Sequence, residues 1–130
     1  MRIMTDSNVI VSAVYNQSSK TAAVFNHVCD NHELVLCGYI ITECRDVVKR
    51  KFPQHLPVLN TLFMALSYEL HDAQDTGSSI INPKDSPILN AAISAEVDII
   101  VSGDKDFLSL NISRPAILSP TEYFDTYLAV

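Results

Sequence analysis

Short runs of apolar residues, separated by longer segments with helical periodicity, most constrain what this chain can fold into. Residues 34–37 read LVLC and residues 98–102 read DIIVS, and a glycine follows each run. Short apolar strands without polar alternation are buried on both faces, which is typical of parallel sheets covered by helices. The predicted strands are Arg2–Thr5, Leu34–Cys37, Ser67–Leu70, Asp98–Ser102 and Ala116–Leu118.

The segments between these strands place apolar residues at spacings of three and four, which is the spacing of one helix face. The predicted helices are Val9–Tyr15, Thr21–Asp30, Ile40–Phe52, Leu56–Ala65, Pro87–Ala95 and a C-terminal helix opened by a capping box at Ser119–Glu122. A polar loop, His71–Lys84, precedes Pro87. The order β-α-α-β-α-α-β-α-β-α-β-α, in which the helix between the last two strands has no assigned bounds, predicts an α/β three-layer sandwich, with a central parallel sheet of about five strands and helices on both faces.

The chain has 130 residues, of which 48% are hydrophobic, enough to bury one core. Because it has no internal repeat and no linker, we expect a single domain over residues 1–130. No apolar run approaches the roughly 18 residues that cross a bilayer. Asp6 and Asn8 stand where a signal peptide would be apolar, so we expect a cytoplasmic protein with no membrane partner.

The three cysteines are odd in number and scattered, so a disulfide framework is not expected. Cys29 and His32 have the spacing of half a zinc site, but no second pair of matching spacing follows. We therefore interpret Cys29, Cys37 and Cys44 as small hydrophobic residues of a reduced protein.

Acidic residues fall where the predicted strands end or the next helix begins. Asp6 ends the first strand, Glu43 lies early in the helix after the second, Asp85 precedes the helix of Pro87, and Asp104 follows the fourth strand. In a parallel sheet these positions open on one edge, where ligands bind. Four converging carboxylates repel one another unless a cation joins them. Oxygen ligands favour Mg²⁺ or Mn²⁺ over zinc, and such ions can activate water and stabilise a leaving oxygen.

Four segments of the chain resemble the motifs of PIN-domain nucleases. They are TDSNVIVSA (Thr5–Ala13), ITECRDV (Ile41–Val47), KDSPILNAA (Lys84–Ala92) and VSGDKDF (Val101–Phe107). The nearest likeness is to the branch that supplies the toxins of toxin–antitoxin systems, related to VapC-type toxins. The resemblance spans the chain in the right order, and it implies a PIN-like fold and an endoribonuclease that depends on Mg²⁺ or Mn²⁺.

The resemblance also assigns roles to residues. The acidic site it implies comprises Asp6, Glu43, Asp85 and Asp104. Of these, Asp6, Asp85 and Asp104 would bind the metal, and Glu43 would orient or deprotonate the attacking water, leaving a 5′-phosphate and a 3′-hydroxyl. Supporting positions are Asn8, Ser102 and Asp106. Around Asp85 the sequence INPKDSP replaces the acid-rich run of many family members.

The partners implied by the resemblance are an RNA substrate, a separate antitoxin protein and a second copy of the chain in a homodimer. A net charge of −6 is unfavourable for RNA binding, although a metal would cancel part of the acidic charge. Positive charge is concentrated in Arg45, Lys49, Arg50 and Lys51. This segment is either a weak RNA contact or an ordinary solvated helix face.

Other interpretations remain open from the sequence alone. Asp6, Asp85 and Asp104 are each also suited to capping a helix, Glu43 to a solvated helix face, and Asp106 to a turn. A catalytically silent PIN-like binding module is one alternative. A haloacid-dehalogenase-like phosphatase is a weaker one, because its chemistry needs an acid where Asn8 stands. A receiver domain needs an acidic pair and a late lysine that the sequence does not supply.

Overall fold

The structure is a computed structural model that describes residues 1–72 and 86–129, apart from the side chain of Ser86. The strands are β1 Arg2–Thr5, β2 Glu33–Leu36, β3 Glu69–Leu70, β4 Ile99–Val101 and β5 Ala116–Leu118. The helices are α1 Ser7–Tyr15, α2 Lys20–Asn31, α3 Gly38–Lys51, α4 Leu56–Ala65, α5 Ser86–Ser94, α6 Lys105–Leu108 and α7 Pro120–Tyr123. A 3₁₀ turn, Pro53–His55, joins α3 to α4, and a π-helical turn, Phe124–Leu128, continues α7.

The five strands form one parallel sheet in the order β3-β2-β1-β4-β5. Met4 in the central strand is level with Val35 on one side and Ile100 on the other. The chain therefore adds β2 and β3 on one side of β1, and afterwards adds β4 and β5 on the other side. Such a reversal opens a crevice beyond the carboxyl ends of the strands. We call this side of the sheet the carboxyl edge and the opposite side the amino edge.

The observed element order agrees with the predicted order, and the central parallel sheet is confirmed. The main differences lie at the ends of elements. Helix α1 begins at Ser7 rather than Val9, because Asp6 supplies the cap and the helix starts directly after it. Strand β3 is limited to Glu69–Leu70, shorter than the predicted Ser67–Leu70, and both of its residues are exposed.

The predicted capping box is present at the start of α7. The Ser119 hydroxyl accepts the Glu122 N–H at 3.1 Å, and the Glu122 carboxylate accepts the Ser119 N–H at 3.0 Å. Of the predicted loop His71–Lys84, only His71 and Asp72 are described, and both lie outside helix and strand. The rest of that loop lies outside the described residues.

The core is built from the three inner strands and the apolar faces of the helices. Ile3, Met4, Leu36 and Ile100 have no exposed surface, and Tyr123 of α7 is buried beside α2, where its hydroxyl lies 2.9 Å from His27 Nδ1. The three cysteines are free thiols, as predicted. Among the described residues, no helix is both long and apolar enough to span a bilayer.

Ion pairs organise the amino edge. The Arg2 guanidinium donates to Glu33 at 3.2 Å and to Glu69, so that it ties β1 to β2 and β3. The Asp98 carboxylate accepts the Arg2 N–H at 2.9 Å and the Arg114 guanidinium at 3.1 Å. These donors lower the pKa of both Glu69 and Asp98, with the hydrogen bond from Arg2 as the largest cause in each case.

Candidate active site

Asp6 lies where β1 passes into α1, at the centre of the carboxyl edge. Its N–H continues the ladder of the sheet to the Val101 carbonyl at 2.9 Å, which fixes the backbone. Its Oδ1 accepts the Ser7 N–H at 2.7 Å as the cap of α1, and its Oδ2 accepts the Ser102 hydroxyl at 2.8 Å. The residue is only 4% exposed. Asp6 is therefore the cap of α1 and also a buried carboxylate with two other acids, Glu43 and Asp104, near it. We call these three residues the acidic cluster.

Burial raises the pKa of Asp6 above its ordinary value. The hydrogen bonds from Ser102 and Ser7 act in the opposite direction, while the nearby charges of Glu43 and Asp104 raise the pKa further. Burial and like charge both disfavour the ionised carboxylate. A cation placed between these acids would remove that penalty.

Ser102 directly follows β4 and is fully buried. Its hydroxyl donates to Asp6 and accepts the Asp104 N–H at 3.0 Å. One side chain therefore joins the loop after β1 to the loop after β4. The predicted supporting role of Ser102 at a metal site stays a prediction, and these two hydrogen bonds are the contacts on which it depends.

Asn8, in the first turn of α1, also contacts the loop that follows β4. Its Oδ1 accepts the Gly103 N–H at 3.3 Å, and the residue is otherwise exposed. Together with the Ser102 contacts, this bond sets the distance between the loops that carry Asp6 and Asp104.

Asp104 caps the short helix α6, because its Oδ1 accepts the Asp106 N–H at 2.9 Å. The second carboxylate oxygen of Asp104 is left without a hydrogen bond among the described residues. Asp106 is exposed, and the contact through which it supports the site is its backbone N–H rather than its carboxylate.

Glu43 reaches the carboxyl edge from the second turn of α3. The Ser7 hydroxyl donates to its Oε1, and that bond places the Glu43 carboxylate beside Asp6. The sequence analysis did not select Ser7 as a site residue. Its role depends on α1 beginning at Ser7, which turns the hydroxyl inward, and no motif in the sequence signals that start.

Asp85 lies outside the described residues, so its position relative to Asp6 and Asp104 stays a prediction. Within residues 1–72 and 86–129, no three Asp, Glu, His or Cys residues form a group that could bind a metal ion. The described chain thus brings Asp6, Glu43 and Asp104 to one edge without completing a three-ligand site.

The basic segment of α3 is not part of this cluster. The Arg45 guanidinium donates to Asn60 Oδ1 at 3.3 Å and lies over the Phe63 ring at 5.6 Å, so it is directed to α4. Lys49, Arg50 and Lys51 are exposed in the last turn of α3. At a rise of about 1.5 Å per residue, that turn is roughly 10 Å along the helix from Glu43.

Asp72 is an acidic residue of this edge that the sequence analysis did not select. It follows β3, and its Oδ1 accepts the Gly38 N–H at the start of α3 at 2.7 Å. A Cβ at position 38 would lie 3.3 Å from that oxygen, so glycine admits the close approach. The only signal in the sequence is the position of Asp72 just after a strand.

The sequence profile of the PIN domain family matches residues 2–106. A five-stranded parallel sheet with acids gathered at its carboxyl edge agrees with that match. The chain belongs to the PIN domain family, which confirms the resemblance seen in its motifs.

Two solved structures share the fold over nearly the whole chain. One is VapBC2 from Rickettsia felis bound to a DNA fragment from their promoter, with 16% identity and a TM-score of 0.69, covering 92% of this chain and 98% of that one. The other is DNA-bound VapBC from Salmonella typhimurium, with 17% identity, a TM-score of 0.69 and the same coverage. At these identities the likeness establishes the fold alone. A comparison with curated proteins finds no match.

Proposed function

We propose that this chain is a metal-dependent endoribonuclease that acts in the cytoplasm as the toxin of a toxin–antitoxin pair. The observation that carries the proposal is the state of Asp6. This carboxylate is buried, its pKa is raised by burial and by Glu43 and Asp104, and its bonds within the described residues come from Ser7 and Ser102 rather than from a basic side chain. Such an arrangement is typical of functional sites rather than of structural ion pairs.

The donor set fits a hard divalent cation. The groups gathered at the carboxyl edge are carboxylate and hydroxyl oxygens, which suit Mg²⁺ or Mn²⁺. In the proposal, Asp6, Asp85 and Asp104 bind the ion. Asp6 and Asp104 are already joined through Ser102, and Asp104 has an oxygen without a hydrogen bond in the described part of the chain. Asp85 supplies the third ligand that the described residues lack.

A bound Mg²⁺ or Mn²⁺ supplies Lewis-acid stabilisation of the phosphate and makes a water molecule more acidic. The Glu43 carboxylate, beside Asp6, orients that water and accepts its proton. Ser102 and Asn8 fix the positions of Asp6 and Asp104 relative to each other through hydrogen bonds. Such supporting contacts orient metal ligands. In-line attack of the water oxygen at phosphorus would then break the bond to the 3′ oxygen, which takes a proton from solvent, leaving a 5′-phosphate and a 3′-hydroxyl.

RNA and a separate antitoxin are proposed as partners because of the motif resemblance and the fold shared with VapBC proteins. Lys49, Arg50 and Lys51 could contact the RNA backbone only away from the acids, so we assign them a weak contribution to RNA binding.

We also propose a homodimer. Exposed Tyr15 and a 330 Å³ cavity between α1, α2 and α4 leave apolar surface on the first helices. Light scattering that gives the monomer mass at high concentration would contradict the dimer.

The test is cleavage of mixed RNAs by the purified protein with Mg²⁺, with Mn²⁺ and with a chelator. The proposal expects cleavage only with metal, products that carry a 5′-phosphate, and loss of cleavage in Asp6→Asn. Binding of RNA without cleavage under all three conditions would favour the silent binding module. Release of phosphate from a small phosphomonoester, without RNA cleavage, would favour the phosphatase.

A further inference from the structure

Ser7 is the residue at which the two acid-bearing elements meet. It is the first residue of α1 and is 5% exposed. Its N–H donates to Asp6 Oδ1 at 2.7 Å, its hydroxyl donates to Glu43 Oε1, and its carbonyl lies 3.8 Å from the Cys44 thiol. Ser7 thus contacts both Asp6, which directly follows β1, and two consecutive residues of α3, Glu43 and Cys44.

The two donors of Ser7 serve different carboxylates. A serine hydroxyl has one proton to donate. The Ser7 Oγ lies 3.4 Å from Asp6 Oδ1, a long contact, and that oxygen already accepts the backbone N–H. Glu43 Oε1 is the nearer acceptor, so the hydroxyl proton goes to Glu43.

Glu43 needs such a donor to stay in this position. Asp6 and Glu43 both accept hydrogen bonds from Ser7, so their carboxylates lie close together, and like charges at short range repel each other. A glutamate side chain on a helix can relieve this repulsion by rotating towards solvent. The hydrogen bond from Ser7 opposes that rotation.

We propose that Ser7 is a positioning residue, whose hydroxyl keeps the Glu43 carboxylate beside Asp6 so that α3 and β1 present their acids to the same cation and water. The inference rests on the proposed function, because it assigns Glu43 a task at the metal. The other interpretation is structural: the Ser7 contacts only fasten α1 to α3. The two differ in what loss of the hydroxyl does to metal affinity.

The experiment compares Ser7→Ala, Glu43→Ala and the double variant with the parent protein. Ser12→Ala is the matched control, because Ser12 is exposed on the same helix. Mn²⁺ affinity is measured by calorimetry without RNA, kcat and KM are measured with RNA, and the melting temperature is measured without metal. Alanine is favourable in a helix, so Ser7→Ala should fold; Ser7→Cys, of similar volume and a weak donor, replaces it if it does not.

We expect Ser7→Ala to weaken Mn²⁺ binding several-fold, because the Glu43 charge moves away from the cation that Asp6 and Asp104 bind. It should lower kcat by about tenfold to hundredfold, the range found for groups that support a metal site, and leave KM for RNA unchanged. In the Glu43→Ala background the Ser7 change should have little further effect, because a residue that acts through another is not additive with it. Ser12→Ala should match the parent in all three measurements.

Mn²⁺ affinity of Ser7→Ala within about twofold of the parent, with only a lower melting temperature, would establish the structural interpretation and overturn the inference. Losses from Ser7→Ala and Glu43→Ala that multiply in the double variant would overturn it as well. In both cases a parent that cleaves RNA with metal leaves the proposed function standing. A parent that neither binds Mn²⁺ nor cleaves overturns both.

Discussion

Both edges of the sheet carry acidic residues, but the hydrogen-bond partners and the burial of these residues differ between the edges. At the amino edge, Glu69 and Asp98 accept hydrogen bonds from Arg2, and their pKa values are lowered. At the carboxyl edge, Asp6 meets only hydroxyl and backbone donors among the described residues, and its pKa is raised. Glu43 lies beside it as a second negative charge.

We interpret this difference as separating acids that stabilise the fold from the acids that the proposed function assigns to a metal ion. A partly exposed carboxylate with an arginine partner gains a modest amount of free energy. A buried carboxylate beside another acid lowers the stability of the metal-free protein, and such groups persist at functional sites. The number of acidic residues does not distinguish the two edges. The hydrogen-bond partners of those residues do.

The largest expected effect comes from removing one charge at each edge. Asp6→Asn keeps the shape of the side chain and the ability to cap α1, since Asn caps about as well as Asp. We expect it to lower metal-dependent RNA cleavage by at least about 100-fold, because in the proposed function Asp6 is a metal ligand and not only a supporting contact. The metal-free variant should unfold at a higher urea concentration than the parent, because a buried charge is lost.

Asp98→Asn is the matched change at the amino edge. It removes a carboxylate that Arg2 and Arg114 stabilise, so it should lower the stability by less than about 1 kcal/mol and leave cleavage unchanged. The same urea titrations and RNA assays check both variants. Stability changes of the same sign in Asp6→Asn and Asp98→Asn would remove the distinction between the edges.

The next effect concerns Arg2, which joins three strands at the amino edge. Its Nε donates to the Ala95 carbonyl at 3.0 Å in addition to its contacts with Glu33 and Glu69. Arg2→Met should keep much of the packing and cost about 1–2 kcal/mol in free energy of unfolding, an amount limited by partial exposure. Arg2→Lys should recover only part of this, because lysine lacks the planar fork of donors.

Chemical denaturation measures the loss, and cleavage by the folded fraction should stay at the parent level. A large drop in specific activity of folded Arg2→Met would show that the amino edge is coupled to the carboxyl edge, contrary to the comparison.

The carboxyl edge was largely predictable from the sequence. The apolar runs around Met4 and Ile100 are strong strand signals, and the crossover helices require a parallel sheet. Asp6 and Asp104 had to follow two strands on the same edge, whatever the order of the strands. Glu43 could be placed near them from its distance to the preceding strand, although not oriented.

The amino edge was not predictable, because it depends on which strands are neighbours. Arg2 meets Glu69 only in the order β3-β2-β1, and no local pattern in the sequence gives that order. Ser7 was missed for a different reason. Its hydroxyl points inward because α1 starts two residues earlier than the apolar periodicity indicates, and helix ends are the least certain part of such an interpretation.

A smaller effect is the pH dependence of stability without metal. The raised pKa of Asp6 means that its protonated form favours the folded state. That contribution is complete below the ordinary pKa of 3.8 and is lost as the pH rises through the raised value. The lowered pKa of Asp98 acts in reverse, giving stability above 3.8 that is lost as the pH falls through the lowered value.

Urea titrations with a chelator, from about pH 4 to about pH 7, check this contrast. The stability advantage of Asp6→Asn over the parent should widen as the pH rises, whereas the deficit of Asp98→Asn should shrink towards the acid end. Parallel curves for the parent and Asp6→Asn would show that the Asp6 carboxyl is not perturbed.

The smallest expected effect distinguishes the two donors at Asp98. The ion pair with Arg114 is exposed on both sides, with 62% and 37% of the side chains accessible, so Arg114→Gln should change the stability by less than about 0.5 kcal/mol. The pKa of Asp98, followed by NMR, should rise but stay below its ordinary value, because the backbone N–H of Arg2 is the larger cause of the shift. High salt should reproduce most of the change in the parent, since it screens the exposed charge but not the backbone hydrogen bond. If the pKa of Asp98 returned fully to its ordinary value in Arg114→Gln, the lowered pKa at the amino edge would depend on an exposed surface charge. The difference in pKa direction between Asp98 and the buried Asp6 would then disappear in high salt.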